Sequence, residues 1–263
     1  MQKYIAVVNP RMDDDEISHL IGKGIAGALF EISHQNYPLA AKMIRQIKEL
    51  SRKHNRPVSI IQDVSEMTDP LDLQFGLRSG AHWVASDNAE HLKMAKGLNK
   101  LAGLIFKGRN MPKGLRVDSV MADGFLDPDA QVLGRQGGQT RLPRRFDDYY
   151  PMHGGQVKHL ISEHQNQAIL DSLIHIAGHA GAAAIAVSDL DMAKALSFRR
   201  PSKKIIFAPK DQALVAKGSI YWGVHPVYVG NNLVSSLKNM ELVKKGQRVL
   251  DATDVKHVMI HLI

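Results

Sequence analysis

The chain has 263 residues, of which 44% are hydrophobic and 23% charged, a composition typical of a globular protein that excludes wholesale disorder. It contains no cysteine, which excludes disulfide scaffolds, thiol nucleophiles and thiolate metal sites, and no run of about 18 apolar residues that could cross a membrane, so we expect a soluble, cytoplasmic protein. The formal net charge of +8 favours anionic partners such as phosphorylated metabolites or nucleic acid, although a surplus spread over this length also serves solubility.

The first part of the chain alternates short apolar runs with segments of helical periodicity. The predicted strands are residues 4–8, 27–32, 58–61, 81–85 and 101–106, with 117–121 as a further candidate. Between them, Thr68-Asp69-Pro70 is typical of a helix start, with a capping side chain and a first-turn proline. This alternation indicates a parallel sheet with right-handed crossovers, so we expect a barrel or part of one, with an open doubly wound sheet as the alternative.

The alternation stops after Lys107 and resumes after Val157. The stretch between them is rich in Gly, Pro and Arg and shows little periodicity, which predicts a loop or linker. Beyond it, strands are predicted at residues 183–187, 205–208, 224–229, 249–252 and 258–263, with helices between them. We therefore predict a barrel domain over residues 1–125, a linker over 126–157 and a second α/β domain over 158–263.

One glycine motif has a misleading match. Residues 22–27 read G-K-G-I-A-G, which fits the dinucleotide-binding pattern G-x-G-x-x-G letter for letter. In that pattern the loop leaves a strand and opens a helix, so that the helix amides face a pyrophosphate. Here the glycines follow a predicted helix and precede a predicted strand, so we interpret them as a helix end.

Two histidines have a spacing that could bind a metal. His175 and His179 are four residues apart on a predicted helix. No third ligand is evident, and the intervening residues do not form the H-E-x-x-H motif. We interpret both as surface or partly buried histidines.

The predicted linker contains a basic segment, residues 135–145, followed closely by aromatic residues. Arginines beside aromatic rings could bind a nucleic-acid strand through phosphate contacts and base stacking. Asp147 and Asp148 reduce the positive charge there, so a solvated loop is the favoured interpretation.

The second predicted domain carries the clearest family signature. Residues 197–201 read S-F-R-R-P, 205–209 read I-I-F-A-P, 221–227 read Y-W-G-V-H-P-V and 242–246 read L-V-K-K-G. In this order and spacing they resemble the C-terminal domain of pyruvate kinase, which contains S-x-x-R-P, a strand ending in T-P, Y-x-G-V-x-P and L-V-K-K-G-D. The likeness covers most of residues 165–263.

The first hundred residues resemble the start of the same enzyme's barrel. The matching segments are I-A-V-V-N-P at 5–10, I-S-H at 32–34, P-V-S-I-I-Q-D at 57–63, F-G-L-R-S-G-A-H-W-V-A at 75–85 and L-I-F-K-G-R-N at 104–110. The resemblance implies an abbreviated, TIM-barrel-like domain joined to a pyruvate kinase C-terminal-like, three-layer α/β domain. A barrel short of strands would leave open sheet edges, so we expect a covering segment or a homo-oligomer.

The resemblance also implies a set of site residues. Lys107 matches the lysine that faces the transferring phosphoryl group, and it would be catalytic if the chain is an active enzyme. His34 and Arg109 would bind substrate or phosphate. Ser33, Asp63 and Asp123 would be metal ligands, with Mg²⁺ and K⁺ as the cofactors if activity is retained.

Several positions depart from the family pattern, and three of them bear directly on phosphotransfer. Arg109 stands where a glutamate binds magnesium, which reverses the local charge. Leu29 replaces a phosphate-binding arginine, and Glu31 replaces an asparagine of the potassium site.

These departures favour a pyruvate kinase-like protein that lacks full phosphotransfer activity and acts as a metabolite-binding, regulatory or assembly protein. An active phosphotransferase acting on phosphoenolpyruvate or another phosphorylated carboxylate is the alternative. Nucleic-acid binding through the basic segment ranks last.

Overall fold

The computed structural model describes residues 3–108, 112, 115, 117–122, 125–126, 130–133, 167–229, 232–254 and 257–263. These residues form an α/β structure with two sheets. One sheet is a closed ring of eight strands, and the other has five strands with apolar residues packed on both faces. The α/β class predicted from the sequence is therefore confirmed.

The ring is built mainly from parallel strands. β1 to β6 are neighbours in chain order and all parallel, β7 is antiparallel to β6 and β8, and β8 is parallel to β1. The strands are β1 Lys3–Val7, β2 Gly27–Glu31, β3 Ser59–Asp63, β4 Trp83–Ser86, β5 Gly103–Lys107, β6 Ser119–Ala122, β7 Phe125–Leu126 and β8 Ala130–Leu133. Because β7 and β8 close the ring at residues predicted to lie in or beside a loop, the expectation of open barrel edges is wrong.

Four helices alternate with the first five strands, and local sequence explains where they begin and end. They are α1 Asp14–Gly22, α2 Tyr37–Lys53, α3 Pro70–Ser79 and α4 Ala89–Leu98. The Asp69 side chain caps α3, Pro70 occupies its first turn, and the helix ends at Gly80, whose φ of +103° suits glycine. The predicted start of this helix is confirmed.

The glycine motif at residues 22–27 ends a helix, as predicted. α1 begins with a capping box between Asp13 and Glu16 and finishes at Gly22. Gly24 then adopts a φ of +86°, and the chain enters β2 at Gly27. No helix amide is therefore presented to a pyrophosphate by this loop.

The second sheet has the order β11-β10-β9-β12-β13. Its first four strands are mutually parallel, and β13 is antiparallel to β12. The strands are β9 Ala182–Val187, β10 Lys204–Phe207, β11 Val224–Pro226, β12 Arg248–Ala252 and β13 Met259–Leu262. The helices are α5 Gln167–His179, α6 Leu190–Arg199 and α7 Leu233–Asn239, with a 3₁₀ segment at Gln212–Ile220.

The 3₁₀ segment closes the amino-terminal end of the barrel. Ser59, at the start of β3, donates its N–H to Ser219 Oγ at 3.1 Å and its hydroxyl to the Ala216 carbonyl at 2.6 Å. Trp83, at the start of β4, donates to Ser59 Oγ and packs edge-on against Tyr221 with ring centroids 6.0 Å apart. One hydrophobic core therefore continues from inside the barrel into the second sheet.

Two lysines and a neutral histidine also lie at this junction between the barrel and the second sheet. Lys217 donates to the Leu101 carbonyl and Lys194 to the Asp118 carbonyl, and both acceptors lie just before barrel strands. His82 accepts the Ile60 N–H at Nδ1, at 2.9 Å. Burial, reinforced by the charges of Lys48 and Lys217, lowers the pKa of His82 to about 3, so the ring is uncharged at neutral pH.

Candidate functional site

The carboxyl ends of the parallel barrel strands lie opposite the closed end and bring polar side chains together. β2 ends at Glu31, β3 at Asp63, β4 at Ser86 and β5 at Lys107. In barrels of parallel strands this is the end at which functional residues converge. We call this part of the molecule the barrel mouth.

Lys107, Asp63 and Ser65 form a compact hydrogen-bonded cluster at the barrel mouth. Lys107 Nζ donates to Asp63 Oδ2 at 2.6 Å and to Ser65 Oγ at 2.9 Å. Ser65 donates its hydroxyl, at 2.7 Å, and its N–H, at 3.1 Å, to Asp63 Oδ1. Asp63 is buried, and the Lys107 side chain is 30% exposed. Both carboxylate oxygens are therefore engaged, and the lysine charge is balanced by a nearby anion.

The first turn of α4 is fixed against the loop after β3. His91 donates Nδ1–H to the Val64 carbonyl at 2.8 Å, since a carbonyl can only accept. The buried Ser86 hydroxyl accepts the Asn88 N–H at 3.0 Å, which sets the start of α4. Ser65, Ser86 and His91 belong to no motif that was recognised from the sequence. A local pattern could have indicated two of them: an Asp or Ser at a strand end is followed two residues later by a polar residue, as in Asp63–Ser65 and Ser86–Asn88, which is typical of Asx and related turns.

Lys107 and Asp63 are the two predicted site residues that the structure brings together. Ser33 is partly exposed and His34 exposed, and both lie in the loop after β2. Ser33 donates its N–H to the Asn36 side chain at 3.0 Å. Among the described residues, no hydrogen bond joins Ser33 or His34 to the cluster. Ser33 and His34 therefore lie in a neighbouring loop, outside the hydrogen-bonded cluster.

β2 ends in the acidic residue Glu31, and Leu29, two residues earlier, is apolar. Glu31 is exposed and lies opposite Asp63 in the parallel register of β2 and β3. Leu29 is buried in the core that fills the barrel. The two sequence departures in β2 therefore add negative charge to the mouth and place no cation in it.

The predictions for Arg109 and Asp123 lie outside the described residues, as does the basic segment 135–145. Their assigned roles stay predictions. His175 and His179 are exposed neighbours on α5, with ring centroids 4.3 Å apart.

Asp63 does not fit a cation site in its present contacts. The Lys107 ammonium occupies one of its oxygens, and a metal ion at Asp63 would have to displace or repel that charge. Within the part of the chain that the structure describes, no three His, Asp or Glu side chains are grouped to hold a metal ion.

The loop after β2 is supported from α3. Tyr37 donates its hydroxyl to Asp72 at 2.8 Å and stacks on Phe75 with ring centroids 4.0 Å apart. Desolvation and the Asp72 carboxylate raise the pKa of Tyr37 to about 12, so the phenol keeps its proton. Tyr37 therefore positions the first turn of α2 beside the mouth.

Comparison with known proteins finds no matching family model and no matching curated protein. Among the described residues, no helix has both the length and the apolar character needed to cross a membrane.

Proposed function

We propose that this chain is a divergent relative of pyruvate kinase that binds a small phosphorylated carboxylate at the barrel mouth without efficient phosphotransfer. The sequence resemblance and the closed ring with alternating helices and strands support a TIM-barrel-like first domain. The likeness of residues 165–263, with helices packed against both sheet faces, supports a pyruvate kinase C-terminal-like second domain.

The contacts of Lys107 carry the proposal. An ammonium group has three N–H donors, and Asp63 and Ser65 account for two of them. With 30% of its side chain exposed, Lys107 can direct the third donor to a phosphate or carboxylate oxygen at the mouth. A lysine fixed at a strand end in this way is suited to binding a small anion.

The same contacts argue against efficient phosphotransfer. Phosphoryl transfer depends on positioned cations that stabilise charge on the transferring group. Asp63 balances the Lys107 charge at 2.6 Å, and Glu31 adds a second carboxylate on the adjacent strand. Both carboxylates lower the positive potential that a transferring phosphoryl group would meet at the mouth.

Retention of Lys107 at the end of β5 favours one alternative, an active phosphotransferase. In that reaction phosphoenolpyruvate, ADP and a proton yield pyruvate and ATP. The nucleophile is a terminal phosphate oxygen of ADP, the enol C–O–P bond breaks at phosphorus, and the enolate takes up the proton.

Two measurements on the purified chain test the proposal. Isothermal titration calorimetry with phosphoenolpyruvate should give a binding isotherm, and Lys107→Met should weaken it by about tenfold or more, since a charge-assisted hydrogen bond is lost. Lys93→Met is the matched control, because Lys93 is an exposed lysine paired with Glu90 on α4. Unchanged binding in Lys107→Met would overturn the proposed site.

The second measurement is pyruvate formation from phosphoenolpyruvate and ADP, with Mg²⁺ and K⁺ supplied. We expect no turnover above background. Turnover that Lys107→Met abolishes would establish the active-enzyme alternative instead.

A further inference from the structure

The barrel mouth contains a charged side chain that its hydrogen-bonded cluster does not use. Glu31 ends β2 and is exposed, and it lies opposite Asp63 in the parallel register of β2 and β3. Asn36 donates to the main-chain carbonyl of Glu31 at 3.4 Å. Among the described residues, no hydrogen bond or ion pair includes the Glu31 carboxylate, so this group is available to a ligand.

The strand pattern directs Glu31 to the same side of the barrel wall as Lys107. Successive residues of a strand point to opposite faces, so residues two apart share a face. Leu29, two residues before Glu31, belongs to the core that fills the barrel, and Ile105 stands in the same relation to Lys107. The phenylalanines between them pack against helices outside the barrel. Both charged side chains therefore project from the inner face of the barrel at its mouth.

Asp63 lies between these two charged groups and brings them near each other. Neighbouring strands are about 4.8 Å apart, so the main chains at Glu31 and Asp63 are separated by about that distance. Lys107 reaches Asp63 from the other side of β3, with Nζ 2.6 Å from Oδ2. The Lys107 ammonium and the Glu31 carboxylate therefore flank Asp63, close enough for one small ligand to contact both.

The surface between the charged groups is apolar. Val7 ends β1 two residues after the core residue Ile5, so it also faces inward, and 40% of it is exposed. Ala85 lies opposite Asp63 in the register of β3 and β4, and its short side chain leaves room for Lys107 to reach Asp63 across β4. An apolar surface with a few polar groups around it suits the carbon skeleton of a small metabolite.

The described part of the barrel mouth also carries an excess of negative charge, although the chain as a whole has a formal net charge of +8. Carboxylates outnumber lysines and arginines at the carboxyl ends of β1 to β5 and in the loops that follow them. The carboxylates are Asp13, Glu31, Asp63, Glu66, Asp69 and Asp87, and the cations are Arg11 and Lys107. A purely anionic ligand is repelled by these carboxylates, whereas a ligand that also carries a cation is attracted by them.

We propose that the ligand of the barrel mouth is a phosphorylated amino acid, whose anionic oxygens bind Lys107 and whose ammonium group binds Glu31. This inference rests on the proposed function, in which a phosphorylated carboxylate binds at Lys107, and it adds the amino group as the feature that is selected. The third N–H of Lys107 donates to the ligand, and the ligand ammonium donates to the Glu31 carboxylate. Asp63, with both oxygens engaged, keeps the lysine in place.

Two probes that differ in one group test this selectivity by isothermal titration calorimetry. O-Phospho-L-serine and 3-phospho-L-glycerate share the phosphate, the carboxylate and the carbon skeleton, and the first has an ammonium where the second has a hydroxyl. The wild-type chain should bind phosphoserine about fivefold more tightly or better, since an ion pair with an exposed carboxylate is gained and repulsion is reduced. Lys107→Met should weaken both probes by a similar factor, because both present the same anionic groups.

Glu31→Gln identifies the selecting residue. It should weaken phosphoserine and leave phosphoglycerate unchanged or tighter, so that the two affinities agree within about twofold, and the retained phosphoglycerate binding shows that the variant is folded. Glu66→Gln is the matched control, because it removes the same charge from an exposed glutamate in the loop after β3, and it should keep the wild-type preference. An equal loss of preference in both variants would overturn the role of Glu31.

Failure of this inference is distinguishable from failure of the proposed function. Equal wild-type affinity for the two probes, with both weakened by Lys107→Met, would overturn the selection of an ammonium group and leave the anion site in place. If neither probe binds, or if Lys107→Met leaves both affinities unchanged, the proposed function and this inference are both overturned.

Discussion

The Lys107–Asp63 pair can be measured by a double-mutant cycle on the free energy of unfolding. Asp63 is buried, so Lys107→Met leaves a carboxylate that keeps its Ser65 contacts and loses its cation. A hydrogen bond between charged groups contributes about 1.5–3 kcal/mol, and the partial exposure of Lys107 reduces this through solvent screening, so we expect a coupling energy of about 1–2 kcal/mol. Asp63→Asn supplies the second single variant.

Urea denaturation of the wild type, both single variants and the double variant gives the four free energies. Each single variant should be destabilised, and the double variant should lose less than the sum of the two. A coupling energy below about 0.3 kcal/mol would show that the two charges do not depend on each other, and would refute the reasoning that Asp63 balances Lys107.

Three further predictions concern the closed end of the barrel. Because His82 has a folded pKa of about 3, against a usual value near 6.5, the unfolded chain binds a proton that the folded chain excludes between these pH values. The free energy of unfolding should therefore fall as pH falls through this window, by about 1.4 kcal/mol per pH unit from this group. Urea titrations at pH 4 to 7 should show that the unfolding free energy depends less steeply on pH in His82→Asn, which retains an acceptor for the Ile60 N–H. Gly103→Ala would place a methyl group 2.1 Å from the buried Trp83 ring, so its melting temperature should fall by an amount equivalent to about 1–3 kcal/mol, and an unchanged value would contradict this packing. Ser219→Ala removes a buried hydroxyl that accepts the Ser59 N–H, but this N–H also donates to the Ala26 carbonyl at 2.9 Å, so the change should cost only about 0.5–1.5 kcal/mol in the same assay, and a neutral result would show that the hydroxyl adds no net stability.

The repeating part of the barrel could be predicted from sequence because each element has a local signal. Apolar runs mark the parallel strands, and the Asp69-Pro70 start and Gly80 end of α3 are local backbone chemistry. β7 and β8 could not be predicted in the same way. They have two and four residues, and their pairing with β6 and β1 depends on closing the ring, which no local pattern encodes.

The candidate site was predictable in part for a related reason. Lys107 and Asp63 follow apolar strands, and parallel strands bring their carboxyl ends to one side, so their proximity follows from the predicted fold. The contact itself, and the role of Ser65 in joining them, depends on side-chain geometry after the strand ends. The 3₁₀ segment Gln212–Ile220 was expected to be an ordinary helix, and its hydrogen bonds to Ser59 had no signal in either sequence segment alone.

Because the hydrophobic core is shared at the junction, neither the barrel nor the second sheet has a complete hydrophobic core of its own. Trp83 and Ile61 of the barrel and Ile220 and Tyr221 beyond it belong to one hydrophobic cluster, and the buried Ser59 hydroxyl crosses between them. Cutting the chain between the regions would expose aromatic and aliphatic surface on both fragments and leave buried peptide groups without partners. The barrel and the second sheet should therefore unfold in one cooperative thermal transition, in which the contacts at the closed end of the barrel are lost together.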